Sequence, residues 1–396
     1  MSAALGLIAL ALALGALALS SFYAAVTFAG VVGTKRAPTG DAGPIAVIIP
    51  AHDEEASIAL AIGDLKPQLR AQDRLIVVAD NCADRTAAVA RSAGATVIER
   101  DDGAQRGKGF ALQFALDALR PAPPDIVCVV DADCRIEKGA IALIAGAAAK
   151  SGRPAQSLDL MVAPAGAPPR LAVAEFAWLL MNKVRVRGLY SLFDASRLCG
   201  TGMAFPWKVI EARSLATSEI VEDLALGLDL AAAGAAPVFC GEAVVRSEFP
   251  LSDAAAVRQR ARWEHGSLRV ATRKAPALFV KSLLQGNVRA AALAADVMIP
   301  PLTVFAGVLV GVFGLSVFAA VLGAGAALPF AAAGVALFLS ATFVAWAVHG
   351  RRVLPLKSVI AVADFAFSKT RVYGAEGKAS TKSWNRTERS ERSEPL

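Results

Sequence analysis

Two hydropathy rhythms alternate along the chain. The first is unbroken and apolar, running from Ala3 to Gly33 without a charge. At about 1.5 Å per helical residue, that run is long enough to cross roughly 30 Å of hydrocarbon. It returns over Val297–Leu322 and Leu328–His349, joined by the uncharged loop 323–327. Pro300-Pro301 lies near the start of the first of these, where a helix tolerates proline. The second rhythm is a series of short apolar runs closed by polar residues. Ile45–Ile49 ends at Pro50, Leu75–Ala79 at Asp80, and Ile126–Val130 at Asp131, with a further strand at Ala95–Glu99. Helical stretches fall between them at Glu54–Leu69, Thr86–Ala93 and Lys108–Leu119. Fully apolar strands alternating with helices predict a mostly parallel sheet of right-handed βαβ units. Such sheets bind ligands at the carboxyl ends of their strands. His52-Asp53-Glu54, Asp80-Asn81 and Asp131-Ala132-Asp133 all fall at that edge.

Composition sharpens this division. Apolar residues make up 55% of the chain and charged ones only 19%, but the deficit is local. Residues 1–34 carry no charge and 290–350 only Asp296. The rest holds the quarter of charged positions, about 25%, usual for a soluble domain. A disordered chain, a disulfide scaffold and a fully embedded transporter are thereby excluded. The leading run lacks a positive n-region and is about twice a signal-peptide core, so a retained anchor is expected. Lys35 and Arg36 follow it, Arg351 and Arg352 close the last span, and eight Lys/Arg stand against Glu264 alone in 258–289. All three clusters fall on one side, which the positive-inside rule makes cytoplasmic. The expectation is a multi-pass protein of the inner or plasma membrane, its basic stretches attracted to anionic lipids. Leu354–Phe367 is too short to span and is expected to be an interfacial helix, with a polar tail from Lys378. No RNP-type, zinc-finger or helix-turn-helix pattern accompanies the net charge of +7, so no nucleic-acid partner is expected. The five cysteines show no CxxC spacing, and reduced thiols are expected.

The chemistry begins with Asp131 and Asp133. Two carboxylates at i and i+2 just past a buried strand can converge on a hard divalent cation, Mg²⁺ or Mn²⁺. Asp is also a common strand terminator, so the pair alone decides nothing. Glu222-Asp223 opens the helical stretch 224–233, where acids often merely complement the helix dipole. The functional alternative makes Asp223 a general base for an acceptor hydroxyl. Arg106-Gly107-Lys108-Gly109 fails the Walker spacing, yet a Gly-rich turn opening a helix can present N–H groups and Lys108 to a pyrophosphate. Gln259, Arg262 and Trp263 share a helix face at i, i+3 and i+4, suited either to a diphosphate and a sugar ring or to lipid headgroups.

Together, and in this order, these segments resemble membrane-bound glycosyltransferases of family 2, the inverting GT-A type. The resemblance runs from about Ile45 to Trp263. Ile48–Glu55 looks like the family's opening strand and nucleotide loop, with Asp53 where Asn is more usual. Asp80 corresponds to the acid that contacts the nucleobase. Asp131 and Asp133 match the DxD motif, Gly200–Phe205 the loop beside the acceptor, Glu222-Asp223 the ED motif, and Gln259–Trp263 the QxxRW motif.

The resemblance implies a GT-A α/β fold and a single inverting displacement at the anomeric carbon. The donor would be a nucleotide sugar, most often a UDP-sugar, bound by Pro50, His52, Glu54, Asp80, Lys108 and Asp131. Asp131 and Asp133 would hold the metal. Gly202, Glu222, Gln259, Arg262 and Trp263 would line the acceptor and diphosphate side, with Asp223 as base. The amphipathic helix expected over Arg170–Gly188 packs in the core or brings a lipid-borne acceptor to the site. Trp384–Thr387 is a candidate lid.

The expected organisation is an anchor at 1–34, a GT-A domain at 41–275, two spans within 290–350, and an interfacial helix and tail at 351–396. Three spans make a thin wall for a polymer channel, which favours a lipid or lipid-linked saccharide acceptor. A processive synthase, whose channel an oligomer would complete, is the alternative. A silent scaffold would have no need to keep DxD, ED and QxxRW together, and a nucleotidyltransferase would not need QxxRW or the membrane.

Overall fold

The computed structural model describes residues 2–217, 221–250, 252–358, 360–374 and 377. The first element is helix α1, Ser2–Val32. The α/β domain follows with β1 (Ile45–Ala51), α2 (Ile58–Leu65), β2 (Arg74–Asp80), α3 (Thr86–Ser92), β3 (Thr96–Arg100), α4 (Lys108–Leu119) and β4 (Ile126–Val129). It continues through β5 (Arg135–Ile136), α5 (Ala140–Ser151), β6 (Ala155–Val162), α6 (Pro169–Leu179) and α7 (Val186–Phe193). Next come β7 (Met203–Pro206), α8 (Trp207–Ile210), α9 (Glu222–Ala232), β8 (Val238–Glu248) and α10 (Asp253–Arg273). Helices α11 (Ala275–Leu284) and α12 (Val288–Met298) lead to α13 (Leu302–Val321), α14 (Leu328–Ala345) and α15 (Ala361–Tyr373).

The strands form one mixed sheet in the order β3-β2-β1-β4-β7-β6-β8-β5. The first four are parallel, as their alternation with helices requires. Strand β7 then runs antiparallel to β4 and to β6. The apolar runs bury both faces by the period-2 rule. Val47 and Ile49 enter one core with α2 and α5, while Ala46 and Ile48 enter the other with α4.

Helices α1, α13 and the extended α14 are each long and apolar enough to cross a membrane. Tyr23 sits among them, its ring between Phe305 and Phe338 and its hydroxyl 2.7 Å from Thr342 Oγ1. Helix α1 docks on the domain through glycines. A Cβ on Gly188 of α7 would lie 1.7 Å from the Val26 carbonyl oxygen, and one on Gly30 would lie 1.8 Å from that of Val184. Only glycine allows so close a crossing.

Several boundaries differ from the sequence expectation. The span expected from Val297 starts at Leu302, because Pro300-Pro301 breaks the chain into two helices and leaves Val297 in α12. In place of the interfacial helix expected at Leu354–Phe367, a helix lies at Ala361–Tyr373, since Pro355 breaks the earlier stretch and a short 3₁₀ turn follows it. Helix α2 starts at Ile58 rather than Glu54, whose carbonyl instead closes a turn with Ser57 and Ile58. The helix expected at Arg170–Gly188 runs on to Phe193 through a widened turn at Leu180–Arg185. Val173, Phe176, Leu180 and Val184 are buried, so that stripe is core. The tail from Lys378, with Trp384–Thr387, lies outside the described residues.

Candidate active site

The parallel strands deliver their polar ends to one edge. On β1, Pro50 lies within the strand and His52 just past it, with His52 Nδ1 2.8 Å from the Asp80 carbonyl oxygen. Asp53 adopts a positive φ of 55° and accepts from the backbone N–H of Ala83. The Glu54 N–H donates to Thr86 Oγ1, and its carboxylate accepts from Ser57 Oγ. These bonds tie the loop after β1 to the loop after β2. At the end of β2, Asp80 is fully buried and paired with Arg100 at 2.7 Å through Oδ1. Among the described residues its buried Oδ2 has no hydrogen-bond partner, a costly state for a carboxylate oxygen.

Asp131 and Asp133 follow β4, and Lys108 opens α4. The Lys108 ammonium donates to the Asp131 carboxylate and, at 2.7 Å, to the Gly200 carbonyl. Burial works against that ammonium, but Asp131 and Glu222 more than offset it and hold its pKa above the usual lysine range. The Asp131 N–H donates to Thr201 Oγ1. Thr201 is held by two glycines in left-handed conformations, Gly200 at φ 83° and Gly202 at φ 59°. Gly202 has no room for a side chain, since a Cβ would lie 1.9 Å from Ser157 Oγ.

Glu222 and Asp223 form the first turn of α9. A Cβ placed on Gly200 would be 3.4 Å from Asp223 Oδ2 and 3.6 Å from Lys108 Nζ. The three segments therefore meet around Gly200. Burial, and for Glu222 the neighbouring Asp223, raises the pKa of both acids. Desolvation of this kind is how a carboxylate becomes a better base near neutral pH.

Asp159 on β6 was not singled out from the sequence. It is 3% exposed, and burial together with Asp131, Asp133 and Asp223 pushes its pKa well up. Asn182 Nδ2 approaches its Oδ2 at 3.4 Å, and Trp178 donates to its carbonyl. The signal available was a lone acid flanked by leucines inside a strand.

Gln259, Arg262 and Trp263 lie on α10, as their spacing predicts. Gln259 is buried and Trp263 rests on Trp178, ring centroids 5.2 Å apart. Gly266, one turn on, packs against Val221 immediately before Glu222. Helix α10 thus reaches the acidic cluster by two routes, through Trp178 to Asp159 and through Val221 to Glu222. A cavity of about 370 Å³ opens beside that cluster. Ile48, Leu116, Val127 and Phe205 line it together with the charged Glu222, Asp223, Arg269 and Arg273.

Asp131, Asp133 and Cys134 bring one ligand atom each within 4.8 Å of one another. Burial raises the Cys134 thiol pKa well above its ordinary value, and a hard divalent cation prefers oxygen to sulfur. Two carboxylates remain, an oxygen donor set that fits Mg²⁺ or Mn²⁺.

Known proteins share the fold and the family. The solved mannosyltransferase PcManGT of Pyrobaculum calidifontis, in complex with GDP-mannose and Mn²⁺, superposes with a TM-score of 0.54 over 95% of each chain, at 17% identity. That likeness gives the chain a GT-A-like fold. The low-salt glycan biosynthesis hexosyltransferase Agl6 of Haloferax volcanii is 36% identical over 92 residues, 23% of this chain and 21% of that relative. The chain thus matches only about a fifth of the relative's length. A family model described as glycosyltransferase like family 2 matches residues 42–266, more than half of the chain and the whole set of segments that meet around Gly200. By that match, the chain belongs to glycosyltransferase family 2.

Proposed function

We propose that the protein is an inverting, metal-dependent hexosyltransferase. It moves a sugar from a nucleotide sugar, probed first as a UDP-sugar, to a lipid or lipid-linked saccharide in the synthesis of envelope glycan or glycolipid. The convergence of Asp131, Lys108 and Asp223 around Gly200 carries this reading.

In this reading Asp80 and the His52–Glu54 loop hold the nucleoside. That role for Asp80 is supported by its Oδ2, which has no hydrogen-bond partner among the described residues. Lys108 and the DxD carboxylates face the diphosphate. A divalent ion on Asp131 and Asp133 supplies neutralisation of charge on the leaving diphosphate. Asp223 takes the proton of the acceptor hydroxyl as its oxygen bonds to the anomeric carbon. The bond from that carbon to the diphosphate breaks, and its electron pair leaves with the nucleoside diphosphate. No covalent nucleophile is needed.

Gln259, Arg262 and Trp263, with Gly202 and Glu222, line the acceptor side. The mainly apolar cavity, lined also by Arg269 and Arg273, favours an amphiphilic acceptor. The domain is organised as an anchor at 1–34, the GT-A unit at 41–275, two spans in 290–350, and an interfacial helix and tail at 351–396. The basic clusters put the catalytic unit on the cytoplasmic face.

Calorimetric titration of UDP and of GDP, each with and without Mn²⁺, tests the donor site. One diphosphate should bind more tightly with Mn²⁺, and Asp131→Asn should abolish that enhancement. Mn²⁺-enhanced binding that survives in Asp131→Asn would overturn the assignment.

A further inference from the structure

We propose that Lys183, Arg187, Arg246 and His349 form a seat for the phosphate of an anionic membrane lipid, beside the domain-facing ends of α1 and α14. This rests on the reading of α1 and α14 as membrane spans.

The helical segment 181–190 is buried on nearly every side. Its residues left partly open are Met181, Lys183 and Arg187. Two cations at i and i+4 therefore fill the open stripe of an otherwise enclosed helix. Arg187 is held in place at 2.8 Å by the Gly30 carbonyl at the end of α1. Its Nη2 lies 3.5 Å from Nε2 of His349 at the end of α14. Arg246 of β8, the strand beside the β5 edge, adds its charge to the group, its own partner being Glu137 at 2.7 Å.

Among the described residues, no carboxylate pairs with Lys183 or Arg187. Burial, then the charges of Arg187 and Arg246, lowers the Lys183 pKa, and burial alone lowers that of Arg187. Like charges held together in partial burial cost free energy unless an anion joins them. Phosphate is the anion whose oxygens suit several lysine and arginine donors at once. The lipid-borne form is favoured over the free one by position. Arg187 and His349 are fixed to the last turns of two apolar helices, at the level where headgroups lie. The seat is separate from the acidic cluster, and Arg351 and Arg352, exposed beyond α14, extend its charge.

The test uses the full-length protein in detergent, with native mass spectrometry reading retained lipid. The probes are phosphatidylglycerol, phosphatidylcholine and inorganic phosphate. Phosphatidylglycerol should be retained in preference to phosphatidylcholine, and inorganic phosphate should not displace it. Lys183→Gln/Arg187→Gln should weaken that retention about thirtyfold. Lys138→Gln/Lys150→Gln, which removes equal charge from exposed positions outside the group, should leave it unchanged. Lys183→Gln alone guards against a packing defect from loss of the Arg187–Gly30 bond and should still weaken retention several-fold.

Equal retention by the Lys183/Arg187 and Lys138/Lys150 variants would overturn the proposal, as would displacement by inorganic phosphate. Carbonate extraction of membranes separates this from the reading beneath it. Protein released by carbonate contradicts the spans, whereas retained protein with no lipid preference contradicts the seat alone.

Discussion

The Lys108 ammonium lies on the Asp131 carboxylate and is anchored by the Gly200 carbonyl, so a tethered cation faces the proposed metal-binding edge. An opposite charge at contact distance shifts a carboxylate's affinity for protons by about one to three pKa units, and it opposes other cations in the same sense. Lys108→Met should therefore raise Mn²⁺ affinity without donor on the order of tenfold, read by electron paramagnetic resonance. Sugar transfer should fall in the same variant, because a cation facing the diphosphate is gone. Unchanged Mn²⁺ affinity would mean that the Lys108–Asp131 contact does not govern the metal site.

The pH profile follows from the raised pKa of Asp223. A base works only when ionised, so kcat/KM should climb with pH through that raised value and then level off. The acid limb should lie above the ordinary aspartate value of about 3.9. Profiles at saturating Mn²⁺ check this. A rate already flat from weakly acidic pH upward would argue against Asp223 as the group responsible.

Asp159 makes a separate prediction about stability. Its folded-state pKa is raised well above the unfolded value. Such a group favours the folded state at pH below the unfolded pKa. That contribution is lost as pH rises from there toward the folded pKa, at up to about 1.4 kcal/mol per pH unit. Asp159→Asn cannot ionise and should lack this loss. The Tm difference between variant and wild type should shift in favour of the variant as pH rises from 4 to about 8. A difference independent of pH would contradict the burial argument.

Arg185 and Asp296 form a fully buried pair at 2.6 Å where α12 meets the start of α7, with Arg197 Nε 3.6 Å from the same carboxylate. Removing one member strands a buried charge, at a cost of about 3–5 kcal/mol. Asp296→Ala should destabilise by that order in thermal unfolding in detergent. The double variant Arg185→Met/Asp296→Ala should recover part of the loss, since the desolvation cost of Arg185 disappears with its charge while Arg197 still lacks its anion. Equal destabilisation in both would show that the pair acts through packing alone.

The parallel half of the sheet was legible because β1, β2 and β4 are buried on both faces and end in polar residues, a pattern local to each strand. Helix α4 matched its expected bounds because Gly107 and Arg120 bracket an uninterrupted helical run. The antiparallel return of β7 beside β4 was not legible, since Met203–Pro206 is four residues long and its pairing partner is distant in sequence. The spans were legible in length and in the starts at Ala3 and Leu328; the one start that shifted, from Val297 to Leu302, is set by Pro300-Pro301, just as Pro355 sets back the helix after the last span. At the site, motif order brought out the ED and DxD residues. Asp159 stayed hidden because its significance comes from three carboxylates contributed by other segments. The seat of Lys183 and Arg187 stayed hidden for a similar reason: only the packing of α7 on α1 shows which stripe remains open.

The central claim is that this site transfers a sugar using Asp223 as base. The most direct measurement incubates membranes containing the protein with Mn²⁺ and a panel of radiolabelled nucleotide sugars, then separates organic extract from high-molecular-weight aqueous product. Label should enter the organic phase from one donor and fall by about 10²–10⁴ in Asp223→Asn, with donor binding retained. Wild-type incorporation by Asp223→Asn would contradict the base assignment, and label confined to long aqueous polymer would replace the lipid acceptor with a processive synthase.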